Sequence, residues 1–222
     1  MSPRTEQFAV TSVDPPVRGF LHHPSHPNHL GLVFTHGAGG NAKGAMLVSI
    51  AEAFADAGYT VLRCDLPFRQ SRGFGPPRPS DAQRDQAGLR NAVAEMRKRV
   101  SGRVFLGGQS YGGRQATMLC AAEPRLADGL LLTSYPLHPP GKPQQLRLQH
   151  FPDIKIPILF IEGTRDPFGS IEEIESAVKL IPARTKIVPV ESVGHDLGFS
   201  GKRKVSDLPV RVVQEFSAFF AE

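Results

Sequence analysis

A mostly parallel, doubly wound α/β sheet flanked by helices is the fold class this sequence predicts, and three observations predict it. Short apolar runs rich in β-branched residues alternate with longer amphipathic stretches, the pattern of repeated strand-helix units. Gly-rich or Pro-rich turns punctuate the joins, as at His36-Gly37-Ala38-Gly39-Gly40. A Gly-x-Ser-x-Gly pentapeptide, Gly108-Gln109-Ser110-Tyr111-Gly112, falls between an apolar run and a helical one, where a strand must turn sharply into a helix.

The elements follow in order. Residues 8–22 read as a leading antiparallel hairpin, and 31–35 as a buried strand that runs into the Gly-rich loop. Residues 43–57 carry apolar positions at helical spacing, and 59–64 form the next strand. Residues 65–79, rich in Pro, Gly and Arg, read as a long excursion at the top of the sheet before a helix over about 81–100. A strand over 103–107 leads to Ser110, with helix over 115–122 beyond it. Residues 126–134 give a strand, 135–153 a second Pro-rich loop, and 156–162 and 184–190 the last two strands, separated by a helix over about 171–181. An amphipathic helix over about 205–220 closes the chain. No internal repeat is visible.

Length and composition bound the rest. A chain of 222 residues, 40% hydrophobic with 14 Phe, can bury one substantial core, and a second domain of ordinary size would be crowded; one domain over 1–222 is expected. The net charge of +5 is scattered, with short clusters only at Arg97-Lys98-Arg99 and Lys202-Arg203-Lys204. No zinc-finger spacing or aromatic-basic motif accompanies them, so no nucleic-acid partner is expected. Cys64 and Cys120 both sit inside apolar elements and read as reduced, buried thiols. No apolar run is long enough to span a bilayer and the first residues carry no apolar signal core, which sets a cytoplasmic expectation with no membrane partner.

The chemistry rests on a serine, an acid and a base. A serine hydroxyl is a weak nucleophile near neutral pH, so a base must take its proton and a carboxylate must orient that base. Ser110 would be the nucleophile, with Gly108 and Gly112 removing side chains that would clash in the turn. Asp166 follows the strand over 156–162, and His195 follows the strand ending at residue 190. Each therefore stands at the carboxyl end of its own strand, where sites of open α/β sheets form. Asp196 is the rival acid, but a residue adjacent to the histidine bends its carboxylate back to Nδ1 with difficulty. His36 and His138 are rival bases, and His36 begins a loop better suited to another task. That task is to hold an oxyanion between two backbone amides, taken here as those of Ala38 and Tyr111. The same loop lacks the Lys-Ser/Thr ending of a phosphate-binding P-loop and the Gly-x-Gly-x-x-Gly spacing.

His22, His23, His26 and His29 form a dense local group, but Pro24 and Pro27 break any helix that would align them and no Cys or carboxylate completes a ligand set. No metal and no cofactor is expected.

These residues together resemble the α/β-hydrolase superfamily, and within it a small predicted-hydrolase branch near the dienelactone hydrolases. The resemblance covers nearly the whole chain and is carried by Thr35-His36-Gly37-Ala38-Gly39-Gly40, by the segments 63–69, 108–114 and 135–143, and by Gly163-Thr164-Arg165-Asp166-Pro167-Phe168-Gly169. It implies an α/β-hydrolase fold without a large lid domain, with Ser110, Asp166 and His195 at the triad positions. A serine departs from the cysteine nucleophile common among dienelactone hydrolases. The expected activity is an esterase-type hydrolysis of a small acyl substrate. The same triad also serves peptide, thioester or lactone cleavage, and a binding module that has lost activity is the reading from another class. The Pro-rich loops should border the site, so His36, Phe68, Arg69, Arg72 and His138 are expected around the substrate, with Arg69 or Arg72 steering an anionic or polar acyl group. The alternative is that these arginines pair with Asp65 or Asp81 and fix the loop. Without a lid the pocket should be shallow. A monomer or homodimer is expected.

Overall fold

In a computed structural model of the chain, residues 4–200 and 207–221 are described; the Lys202-Arg203-Lys204 cluster and the expected start of the last helix at residue 205 lie outside them. Strands β1 (Arg4–Val10) and β2 (Val17–His23) form the antiparallel leading hairpin. β3 (Gly31–Thr35), β4 (Thr60–Cys64), β5 (Val104–Gln109), β6 (Leu130–Thr133), β7 (Ile158–Gly163) and β8 (Thr185–Val190) continue one eight-stranded sheet, ordered β1-β2-β4-β3-β5-β6-β7-β8. β2 joins β4 antiparallel, and every later pairing is parallel. The helices are α1 (Ala45–Asp56), α2 (Pro67–Ser71), α3 (Ala82–Arg97), α4 (Tyr111–Ala122), α5 (Ile171–Val178) and α6 (Leu208–Ala221).

The central strands are apolar on both faces because both are covered. Alternate residues divide between two cores. Val33, Leu106, Leu130 and Leu132 pack with Leu89, Val93 and Met96 of α3 and Ala116 and Leu119 of α4. Leu32, Phe34, Phe105 and Leu131 pack with Leu47, Ile50 and Phe54 of α1 and Val212, Phe216 and Phe220 of α6. Phe54, Tyr59, Phe105, Phe216 and Phe220 meet mostly edge to face at centroid distances of 4.5–5.8 Å. Cys64 and Cys120 are free and buried in the first of these cores.

Several boundaries differ from expectation by three or four residues, two of them next to the serine turn and its neighbouring strand. The strand expected from residue 126 begins at Leu130, because Leu126 N–H closes a turn on Glu123 O and the Asp128 amide turns aside to Val104 O. The helix expected from residue 115 begins at Tyr111, directly after the serine. Within the excursion over 65–79, Pro67 opens the short α2, a first-turn position where its missing N–H costs nothing.

The strand order sets where a site can form. From β3 the chain passes to β4 on one side, and later returns to β5 on the other side of β3. The loops leaving β3 and β5 therefore diverge and open a crevice beyond their carboxyl ends. Those two loops carry Ala38 and Ser110.

Candidate active site

Ser110 occupies the turn between β5 and α4 with φ 50° and ψ −117°. A non-glycine residue held there stores about 1–3 kcal/mol of backbone strain. The surroundings enforce it: Ser110 N–H donates to Thr133 O at 2.9 Å, and Arg114 N–H donates to Ser110 O at 2.9 Å as the helix begins. The flanking glycines permit the close approach. A Cβ on Gly108 would stand 2.8 Å from Gly112 C, and one on Gly112 would stand 2.5 Å from His36 O.

Three strand ends bring the chemistry together. His195 Nε2 lies 2.8 Å from Ser110 Oγ, and His195 Nδ1 lies 2.7 Å from Asp166 Oδ2. With Nδ1–H donating to the carboxylate, Nε2 is left to accept from the serine hydroxyl. The Asp166 side chain is fully buried, and its other oxygen accepts Phe168 N–H at 2.8 Å. The Phe168 ring stacks on the imidazole at 4.1 Å between centroids. The loops after β7 and β8 are tied by Thr164 N–H to Val190 O and Arg165 N–H to Val193 O. A Cβ on Gly163 would meet Gly194 O at 2.5 Å. Asp196, the rival acid, instead accepts the amides of Gly198 and Ser200 and shapes the turn beyond the histidine.

Two backbone amides at the cleft have no hydrogen-bond partner among the described residues. Tyr111 is the first residue of α4, so its N–H has no partner within the helix. Ala38 N–H makes no hydrogen bond to any described residue, while Gly37 O and the Ala38 and Gly40 carbonyls are engaged on the loop's other side. The cleft between them encloses about 900 Å³ and is lined by Gly37 to Gly40, Pro76 to Pro79, Ser110, Tyr111, Arg114, Pro136, Arg147, Phe168 and His195, among others. This is a site of ordinary small-molecule size. The two Pro-rich loops raise its walls.

The five residues expected around the substrate do not line this cleft, and each has another partner. His36 is buried, donates from Nδ1 to Gly37 O and accepts Leu66 N–H at Nε2; burial holds it below the usual histidine range, in its neutral form. Phe68 is buried against His36 and Tyr111. Arg69, 8% exposed, donates to the carbonyls of Ala38, Gly40, Arg72 and Gly75. Arg72 pairs with Asp81, the loop-fixing alternative. His138 faces Glu173 at 3.3 Å. For the two arginines the cause is that backbone carbonyls and the Asp81 carboxylate lie within reach of the guanidinium groups.

Sequence reasoning also passed over residues that build the site. Asp85 of α3 is buried and accepts both Phe68 N–H at 2.9 Å and Tyr111 O–H at 2.8 Å, tying α2 to the start of α4; burial raises its carboxyl above the ordinary value. Its signal was a lone carboxylate on the apolar face of a helix. Arg114 and Arg147 line the cleft, and Arg114 was legible as the residue one helical turn beyond Ser110. Of the histidine group, His22 is buried between Thr5 Oγ1 and Arg63 Nε, and His23 bonds Glu6. Among the described residues no group of three or more His, Cys, Asp or Glu is placed to hold a metal, and no helix is long and apolar enough to cross a membrane.

The fold and this arrangement define an α/β-hydrolase without a lid. The chain belongs to the alpha/beta hydrolase domain family, whose model matches residues 28–220. Among solved structures it is similar to a dienelactone hydrolase from Anabaena variabilis, at 19% identity over 100% of this chain and 98% of that one with a TM-score of 0.74. It is also similar to an α/β serine hydrolase without lid from Xanthomonas campestris, at 17% identity over 98% and 95% of the two chains with a TM-score of 0.76. A third is Est1E from Butyrivibrio proteoclasticus with ferulic acid bound, at 15% identity over 93% and 97% with a TM-score of 0.71. At these identities the likeness is one of fold.

Proposed function

We propose that the protein is a serine esterase acting on small acyl esters. The observation that carries this is the continuous relay from Asp166 through His195 to Ser110, at 2.7 and 2.8 Å, with the serine held in a strained turn over an open cleft. Ser110 Oγ attacks the ester carbonyl as His195 Nε2 takes its proton, and Asp166 holds the imidazole in the tautomer that accepts it. The negative charge on the tetrahedral oxygen is met by the amides of Ala38 and Tyr111. His195 returns the proton to the departing alcohol, leaving an acyl group on Ser110. A water then repeats the sequence from the other side, with His195 as base again, and releases the acid. None of these steps requires a metal or cofactor.

The buried, unpaired thiols of Cys64 and Cys120 suit a reducing compartment and support a cytoplasmic setting for a protein acting on small-molecule substrates as a monomer or homodimer. The test is the time course of p-nitrophenolate release from p-nitrophenyl butyrate. An acyl-enzyme route predicts a burst of one equivalent per chain at high enzyme concentration. Ser110→Ala should lose the burst and about three or more orders of magnitude in kcat. Turnover by that variant at the wild-type rate would overturn the reading.

A further inference from the structure

The charge in the cleft lies elsewhere than the sequence suggested, and its arrangement is uneven. Arg78, Arg114 and Arg147 line the cleft, and no Asp or Glu does. Among the described residues, four other arginines withdrawn wholly or partly from solvent are matched. Arg63 is bonded to His22, Arg69 to four carbonyls, Arg72 to Asp81 and Arg99 to Glu95. Arg114 and Arg147 differ. Neither makes an ion pair with any described residue, the buried Arg114 Nε has no hydrogen-bond partner, and the Arg147 guanidinium reaches only Pro136 O at a long 3.5 Å. Beside them, Gln115 Nε2 is also buried without a partner, its carbonyl oxygen being held by Gln86.

Two guanidinium groups facing one opening repel each other unless something negative lies between them. Burial and the Arg114 charge both push Arg147 below its ordinary value, and burial with the same Arg114 charge takes His150 down to about 4. A site with unused donors and like charges, walled from carboxylates, is built for a planar anion, which a guanidinium meets with two parallel N–H groups. Arg114 stands one turn along α4 from the Ser110 end, about 6 Å of helix rise. A half-ester with about four methylenes between its two carbonyls spans a distance of this order and is the probe chosen below.

We infer that the cleft selects esters bearing a carboxylate on the acyl chain, with Arg114 and Arg147 as the residues that bind it, an assignment that rests on the esterase reading above. The specificity determinants are then the first turn of α4 and the second Pro-rich loop. Arg69 and Arg72 take no part.

The test compares p-nitrophenyl hemiadipate with p-nitrophenyl hexanoate, which replaces the distal carboxylate by a methyl group, in the wild type and in Arg114→Gln and Arg147→Gln. Adipate binding is measured by calorimetry on the same proteins. A charge-assisted pair predicts a kcat/KM ratio favouring hemiadipate by about tenfold or more, falling toward unity in each variant, with adipate affinity falling by about tenfold. Arg147 lies outside any helix or strand, so its variant keeps the test open if Arg114→Gln does not fold. A burst on hexanoate with no preference for hemiadipate overturns this inference and leaves the esterase reading standing. If neither ester turns over, the esterase reading fails and adipate decides the site. Affinity lost in the variants upholds anion recognition, and absent or unchanged binding ends it.

Discussion

Arg69 shows how one side chain can shape a site without touching it. Its guanidinium gathers four backbone carbonyls, two of them, Ala38 and Gly40, on the loop that carries the Ala38 amide. Planarity ties a carbonyl only to the N–H of its own peptide unit, so holding the Ala38 carbonyl sets the Gly39 amide directly and the Ala38 amide through the backbone of the loop. Arg69 is thus a positioning residue for the Ala38 amide. Arg69→Met should lower kcat by about ten- to a hundredfold, less than the roughly hundred- to thousandfold of a directly lost oxyanion donor, with KM changed far less. It should also cost about 1–3 kcal/mol of stability for the carbonyls left unpaired. Steady-state kinetics beside urea melts separate the two effects, and lost stability with kcat intact would make Arg69 merely structural. At this scale the sequence was legible in part. Ser110, Asp166 and His195 could be found because each follows an apolar run that had to be a strand. The direction of Arg69 could not, because the loop carbonyls of Ala38 and Gly40 that it holds lie about thirty residues away and spacing does not encode them.

At the scale of the element, β7 does two tasks. It delivers Asp166 just past its end, and it buries Glu162 beneath, where both carboxylate oxygens accept Tyr135 N–H at 2.8 and 3.1 Å. Burial raises the Glu162 carboxyl well above its ordinary 4.5; the Tyr135 amide opposes this and the Asp166 charge adds to it. The folded state therefore keeps a proton that the unfolded chain releases. The resulting stability is complete below the ordinary value and is lost as pH rises toward the raised one. Glu162→Gln removes this term, so the variant should gain on the wild type as pH rises above 4.5, by up to about 1.4 kcal/mol per pH unit within that window. Urea midpoints from pH 5 to 9 measure the two slopes, and parallel slopes would show that Glu162 titrates normally. The strand itself was legible as an apolar run. The glutamate inside it was read as the end of that run, because nothing local announces a buried acid whose partner amide belongs to the next loop over.

At the scale of the molecule, the strand order places the Gly-rich loop after β3 and the serine turn after β5 on either side of one crevice, while β7 and β8 bring the acid and base to the same edge. Alternation of apolar and amphipathic runs made the layers readable, and the continuous apolar strands made it clear that both faces are covered. The cleft's volume was not readable, because it depends on how high two Pro-rich loops stand rather than on any periodicity. The loops' arginines followed the same rule: those nearest backbone carbonyls were captured, and those on α4 and beyond residue 143 remained to face the cleft. The central claim is that this architecture activates one serine. It is tested most directly by reacting the native protein with a fluorophosphonate and locating the adduct by peptide mass spectrometry. A single adduct on Ser110, formed far more slowly in His195→Ala, is the predicted result; a native protein left unlabelled, or labelled at another residue, would contradict it.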